Sequence, residues 1–355
     1  MPKQEHCREA DIAFYKKEIA PILPPQVLDF HAHIWTRAQW KKVPWEENAP
    51  GSKYMVTQTD YSTDELLADG RRIFSDRQYN AVCFGYPTPA ADIELTNNYV
   101  ALAGHKRNLF PLMLAGRDMV SREKIEQRIL NDSFLGYKVF LNWYGNNYGN
   151  VSIEDMIGPV EMELANEYHL IVLLHVPRDE RLADTEVQVG VRSLSRNYPN
   201  AQIVLAHCGR CYLPDQMKMA INTVKNLKNV YLDTSMVMDP LVLQMVFETI
   251  DSKRVLFGTD LPVARMRGRR VYVMDHWVDV VCGDYPPSAY RVETKDIHAT
   301  FMVYEIILAI RRAAERVGLS QNQLRAMFYD NGMALLKKVG TSGKNSRKNW
   351  RGKDE

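Results

Sequence analysis

The sequence has no apolar run that approaches the roughly 18 residues a membrane span needs. Its longest, Leu170 to Val176, is strand-sized. The first twenty residues are charged throughout and lack the apolar stretch of a secretory leader. A cytoplasmic protein with no membrane partner is therefore expected. Charge of one sign is also scarce: the net charge is +2 over 355 residues. The last fifteen, TSGKNSRKNWRGKDE, carry five Lys or Arg against two acids, which accounts for more than that excess. The body has no basic surplus to offer nucleic acid, and residues 341–355 read as a disordered basic tail. Cysteine is sparse and odd in number: Cys7, Cys83, Cys208, Cys211 and Cys282. That excludes a disulfide framework. Cys208 and Cys211 form a CxxC, but without the helix start that a thioredoxin-like site needs. No long polar linker and no internal repeat divides the chain.

What is present is a succession of short apolar runs separated by helical patterns. The runs are VLDFHAHIW (27–35), AVCFGYPT (81–88), LFPLMLAG (109–116), GYKVFLNW (136–143), LIVLLHVP (170–177), QIVLAHCG (202–209), VYLDTS (230–235) and VLFGTDLP (255–262). Near-continuous apolar strands are buried on both faces, as in a parallel sheet covered by helices. Between them, SREKIEQRIL and SIEDMIGPVEMELANEY open on the capping serines Ser121 and Ser152. Eight such units predict a (β/α)8 TIM barrel, and the missing GxGxxG after the first strand argues against a dinucleotide-binding sheet. The expected organisation is a helical lead-in (1–26) and a barrel (27–340). The barrel includes a C-terminal helical extension (263–340), with two strong helical patterns at its end. Broad apolar faces in that extension leave room for a homo-oligomer.

The polar residues at the strand ends carry the chemistry. The first run holds His31 and His33, the fifth ends in His175, the sixth in His207 and the eighth in Asp260. Residues i and i+2 of a strand share a face, and the C-terminal strand ends of a TIM barrel form one mouth. Four imidazoles and a carboxylate then converge there, a set suited to a divalent metal. A satisfied core histidine explains any one of them, but burying several unpaired imidazoles is costly.

DFHAHIW, LLHVP, LAHCG and FGTDLP resemble the signatures of strands 1, 5, 6 and 8 of the amidohydrolase superfamily. The similarity is to the branch that contains aminocarboxymuconate-semialdehyde decarboxylase, resorcylate decarboxylases and lactonases. The resemblance implies one divalent metal, with zinc as first choice and manganese or another transition metal as alternatives. It implies His31, His33 and His175 as ligands, with Asp260 as a further ligand or a base. It also implies His207 as the catalytic histidine. The expected function is hydrolysis of a small carboxylate-bearing amide, ester or lactone by activated water. The same site also suits a non-oxidative decarboxylase. A non-catalytic binding protein on a retired barrel is the alternative of another class. Lys138, in the fourth run, lies where some amidohydrolases carry a bridging carboxylated lysine. Its plainer role is to orient substrate or pair with an acid. Asp233 reads as a partner of a ligand or as a helix cap.

A small anionic organic substrate is suggested by arginines near the mouth: Arg178, Arg210 and Arg265, the last in the cluster ARMRGRRV with Arg267, Arg269 and Arg270. Trp35 and Trp143 follow the first and fourth runs and are expected to line a pocket.

Overall fold

The computed structural model describes residues 9–41, 60–86, 88–283, 291–293 and 299–341. The expected basic tail, except for Thr341, and residues 42–59 lie outside the described residues. All eight apolar runs are strands: β1 (Gln26–His33), β2 (Gln78–Phe84), β3 with β4 (Leu109–Pro111 and Met113–Leu114), β5 (Gly136–Val139), β6 (Ile171–Leu174), β7 (Gln202–Leu205), β8 (Val230–Asp233) and β9 (Val255–Leu256). Neighbours pair in parallel from β1 to β3 and from β4 to β9. β3 and β4 are two pieces of one strand interrupted at Leu112, whose N–H still donates to Cys83 on β2 at 2.9 Å.

The ring closes between its last and first strands. Phe30 N–H donates to Phe257 O at 2.7 Å, Asp260 N–H to His31 O at 2.8 Å and His33 N–H to Leu261 O at 2.8 Å. The result is a (β/α)8 barrel, closed at the level of the two histidines of β1. Every residue of β6 and β7 is buried, and each such Val or Leu contributes on the order of 1.5–3 kcal/mol.

Around the barrel run α1 (Glu9–Phe14), α2 (Thr63–Ile73), α3 (Ile93–Ala103), α4 (Arg122–Asn131), α5 (Pro159–Glu167), α6 (Thr185–Asn197), α7 (Pro214–Ala220) and α8 (Pro240–Thr249). Capping side chains start most of them. Ser121 accepts from Lys124 N–H before α4, and Asp184 and Asp239 do the same for α6 and α8. Ser152 and Asp155 form a full capping box on the short turn before α5.

The extension contains more than its helical patterns. Those patterns are α9 (Met302–Val317), α10 (Gln321–Phe328) and α11 (Asp330–Thr341). Ahead of them an antiparallel hairpin, β10 (Gly268–Val273) and β11 (His276–Val281), rises from the loop after β9, and β12 (Arg291–Glu293) runs parallel to β11. The hairpin base is tied to the lead-in by a buried ion pair between Arg267 and Asp11.

Candidate active site

The strand ends bring the predicted histidines together. The His31 and His33 ring centroids are 5.6 Å apart, His31 and His207 4.7 Å, and His175 and His207 5.1 Å. Burial lowers the pKa of all four imidazoles, so each rests neutral. β1 is held in place by Asp29, two residues before His31. Its Oδ1 accepts from His31 N–H at 3.0 Å and Thr259 N–H at 2.9 Å. Its Oδ2 accepts from the Tyr79 hydroxyl at 2.8 Å and the Thr259 hydroxyl at 2.5 Å. Burial outweighs these bonds and pushes the Asp29 carboxyl up to about 7.

The hydrogen bonds assign the tautomers. His33 Nδ1 donates to Gly85 O at 3.2 Å, and His31 Nδ1 donates to Asp233 Oδ2 at 2.9 Å. Both Nε2 atoms therefore carry lone pairs. They face the same oxygen, Asp260 Oδ1, at 3.2 and 3.4 Å. Lone pairs opposed to a carboxylate repel unless a cation lies among them, and burial disfavours a proton on either ring. Asp260 itself is held down to about 2. Burial opposes this, and it is overridden by the hydrogen bond to His33 and the positive charge that His207, His31 and His33 carry when protonated, a charge that a bound cation would supply in their place. This donor set, neutral imidazole nitrogens around an ionised carboxylate, fits a divalent transition metal.

Lys138 belongs to the same cluster and does not line the cavity. Its Nζ is 3.1 Å from His31 Nε2, between the rings of Phe84 and Phe140. Burial lowers it to about 8, against the pull of Asp233 and Asp260. Asp233 and Lys138 thus supply one charge of each sign, and Asp260 leaves the cluster an anion short of a cation.

His207 opens a run of four left-handed residues, with φ of 54, 51, 69 and 60° from His207 to Arg210. Three are not glycine, each at a cost on the order of 1–2 kcal/mol, strain of the kind found at functional sites. At the glycine, Gly209, a Cβ would also approach Leu182 to 2.7 Å. Asp233 holds this turn through the His207 N–H at 2.9 Å, so it is a partner of two histidines rather than a helix cap. The Ser235 hydroxyl donates to Asp233 and accepts from His207 Nδ1 at 2.8 Å, beside the Ser235 carbonyl at 3.1 Å. Nδ1 of His207 therefore bears the hydrogen and Nε2 is its basic atom. His31, His207 and Asp260 form the compact group, with ligand atoms within 4.8 Å of one another. His175 stands one ring farther out, stacked on Phe140 at 4.4 Å with its Nδ1 sealed and unpartnered.

A cavity of about 190 Å³ opens over this cluster, lined by His33, His175, His207 and Asp260. Of the predicted substrate residues, Arg210 lines it. Its guanidinium donates to the carbonyls of Val176 and Arg178 at 3.0 and 3.1 Å, and burial beside Arg181 lowers it to about 10. The others lie elsewhere. Arg178 turns toward the start of α6, where Glu186, Asp184 and the Val151 carbonyl take its donors. Arg265 pairs with Asp69 at 3.0 Å over Tyr61. Trp35 is fully buried against Trp40, Tyr61 and Tyr86, and Trp143 is half-buried outside the lining.

Sequence reasoning missed Asn142, Arg181 and Trp277, and did not single out Arg270 within its cluster; all four line the cavity. Arg270 is clamped by Asp279 at 2.8 and 3.0 Å and stacked on Trp277 at 3.8 Å. The alternation in RRVYV and HWVDVV was the signal for the hairpin that carries both. The CxxC thiols are buried, which pushes Cys211 up to about 12 and Cys208 well above its usual value, so neither is a ready thiolate.

A family model for amidohydrolases matches residues 28–338. No curated protein matches the chain. Among solved structures, an amidohydrolase from Burkholderia multivorans with bound zinc has a TM-score of 0.55 at 12% identity, over 88% of this chain and 99% of that one. The 5-carboxyvanillate decarboxylase of Sphingomonas paucimobilis has a TM-score of 0.57 at 11% identity, over 88% and 99%. The 4-oxalomesaconate hydratase of Rhodopseudomonas palustris has a TM-score of 0.53 at 14% identity, over 89% and 97%. At such identities the likeness is one of fold.

Proposed function

Because this chain belongs to the amidohydrolase family, and is an enzyme of that metal-dependent type, we propose that it hydrolyses a small carboxylate-bearing amide, ester or lactone. The observation that carries the substrate class is the pair Arg181 and Arg210. Both line the cavity above the histidine cluster. Arg181 Nη1 donates to Gln216 at 2.6 Å and Arg210 to two carbonyls, and neither makes an ion pair among the described residues. Two adjacent half-buried guanidiniums that make no ion pair among the described residues suit an anion from the substrate.

We assign His31, His33, His175 and Asp260 to the metal, with zinc as first choice. When bound, the ion supplies Lewis acidity and lowers the pKa of water toward 7. The protein's own contribution is proton handling. His207 Nε2 faces the work with a lone pair, so His207 takes a proton before it gives one. Asp260, held ionised, is the second acceptor. Arg210 and Arg181 fix the substrate's carboxylate away from the reacting atoms, and the Arg270–Trp277 stack excludes water from the far wall.

A panel of carboxylate-bearing lactones and aromatic acids, scored for ring opening and for CO2 release, tests this reading. Ring opening is expected. CO2 release from every compound turned over would replace it with decarboxylation at the same residues. The compactness of His31, His207 and Asp260 favours a second reading, in which His207 is itself a ligand. His207→Asn separates the two. Full metal content with kcat down about 10²–10⁴-fold supports a proton-transfer role, and loss of metal supports ligation.

A further inference from the structure

The end of β5 delivers three side chains inward. Lys138 reaches the histidine cluster, Phe140 stacks on His175, and Asn142 lines the cavity. Asn142 is 5% exposed. A carboxamide carries two donors and an acceptor oxygen, and buried amides in folded proteins are almost always bonded. The side chain of Asn142 has no hydrogen-bond partner among the described residues, and its polar atoms are not sealed against protein as the Tyr86 hydroxyl is. The amide therefore faces the cavity with its full bonding capacity unused. Two other buried amides are engaged at both ends: Asn97 bonds Leu114 through its amide and its oxygen, and Asn229 donates to three carbonyls and accepts from Ser195.

We propose that Asn142 is a specificity-determining residue that contacts substrate. Its amide hydrogen-bonds an oxygen that the substrate carries in addition to its carboxylate. The substrate class narrows to hydroxy- or oxo-substituted acids and carboxylate-bearing lactones. A neutral amide suits this task because it can donate to a carbonyl or lactone oxygen and accept from a hydroxyl, without adding charge beside Asp260. The carboxylate is left to Arg181 and Arg210. The proposal rests on the cavity being the substrate site, as in the functional reading above.

The test is calorimetric binding of 3-hydroxybenzoate and benzoate to the wild-type enzyme, Asn142→Leu and Asn142→Asp. These ligands differ by one hydroxyl, and their binding needs no turnover. The wild type should prefer 3-hydroxybenzoate by about tenfold, as expected for one buried hydrogen bond. Asn142→Leu, of similar volume, should erase that preference while leaving benzoate affinity within about twofold. Its Tm should be unchanged, because the amide makes no bond to the protein. Asn142→Asp keeps the shape and should weaken both ligands, since it sets a negative charge in an anion's cavity. A preference equal in the wild type and Asn142→Leu overturns the proposal, as does failure of the wild type to bind either compound. A lowered Tm with unchanged preference also overturns it, because the amide then serves the fold. Normal binding with no turnover of the panel above would sink the hydrolase reading and spare this one.

Discussion

The two halves of the barrel mouth are built on opposite rules. On the side of β1, β8 and β9, most polar atoms already have a protein partner. Asp29 accepts four hydrogen bonds, and Asp233 with Ser235 fixes one nitrogen each of His31 and His207. On the side of β5, β6 and β7, the groups facing the cavity are under-used. Among the described residues the Asn142 side chain has no hydrogen-bond partner, and Arg181 and Arg210 make no ion pair. The first side is organised to hold one geometry, and the second keeps its bonds for a ligand. The difference teaches where substitutions should act on kcat and metal affinity, and where on KM.

The largest effect is expected at the organised side's centre. Asp260→Asn should cut kcat/KM at least 10³-fold and reduce metal content, measured by elemental analysis of the purified protein. Asp233→Asn touches neither substrate nor cavity yet releases the orientation of two histidines, so metal affinity should fall about 10–100-fold. If affinity stays at the wild-type value, the claim that this side is pre-organised by its partners is wrong.

On the other side, Arg210→Met should raise KM about tenfold with kcat changed less, since it removes a charged donor to bound substrate. A fall in kcat at constant KM would erase the contrast between the halves. Acid should then weaken the histidine cluster that the two sides share. Its four imidazoles are held neutral by burial, so below the unfolded histidine pKa of about 6.5 the unfolded chain binds more protons than the folded one. Stability is therefore present above that pH and declines as pH falls through it, visible as a falling Tm between pH 7 and 5. A flat Tm over that range would deny the neutral imidazoles. The smallest effect belongs to Arg178→Met. Its partners are Glu186 and Asp184 at the start of α6, so kcat/KM should stay within about twofold.

The strands and the cluster were legible because one physical rule governs each. Strands buried on both faces must be apolar throughout, and two histidines that share a strand face must be two residues apart. Those rules find β1 to β9 and place His31, His33, His175, His207 and Asp260 at one end. The arginines were not legible, because composition cannot say which carboxylate a long side chain will meet. Arg178 and Arg210 stand in the same position relative to their strand-end histidines, three residues on. One meets Glu186, and the other meets two carbonyls and the ring of Tyr148. Asn142 was invisible for the complementary reason: its distinction is the absence of a partner, which only the folded chain reveals.

The two ends of the hairpin of β10 and β11 lie side by side, since Cys282 N–H donates to Arg267 O at 2.9 Å. It is thus a cassette with adjoining ends, and it carries Arg270 and Trp277 to the far wall of the cavity while leaving the eight strands uninterrupted. Grafting a different hairpin between Arg267 and Cys282 would re-tailor that wall in a single step, with the cluster of histidines below it left in register.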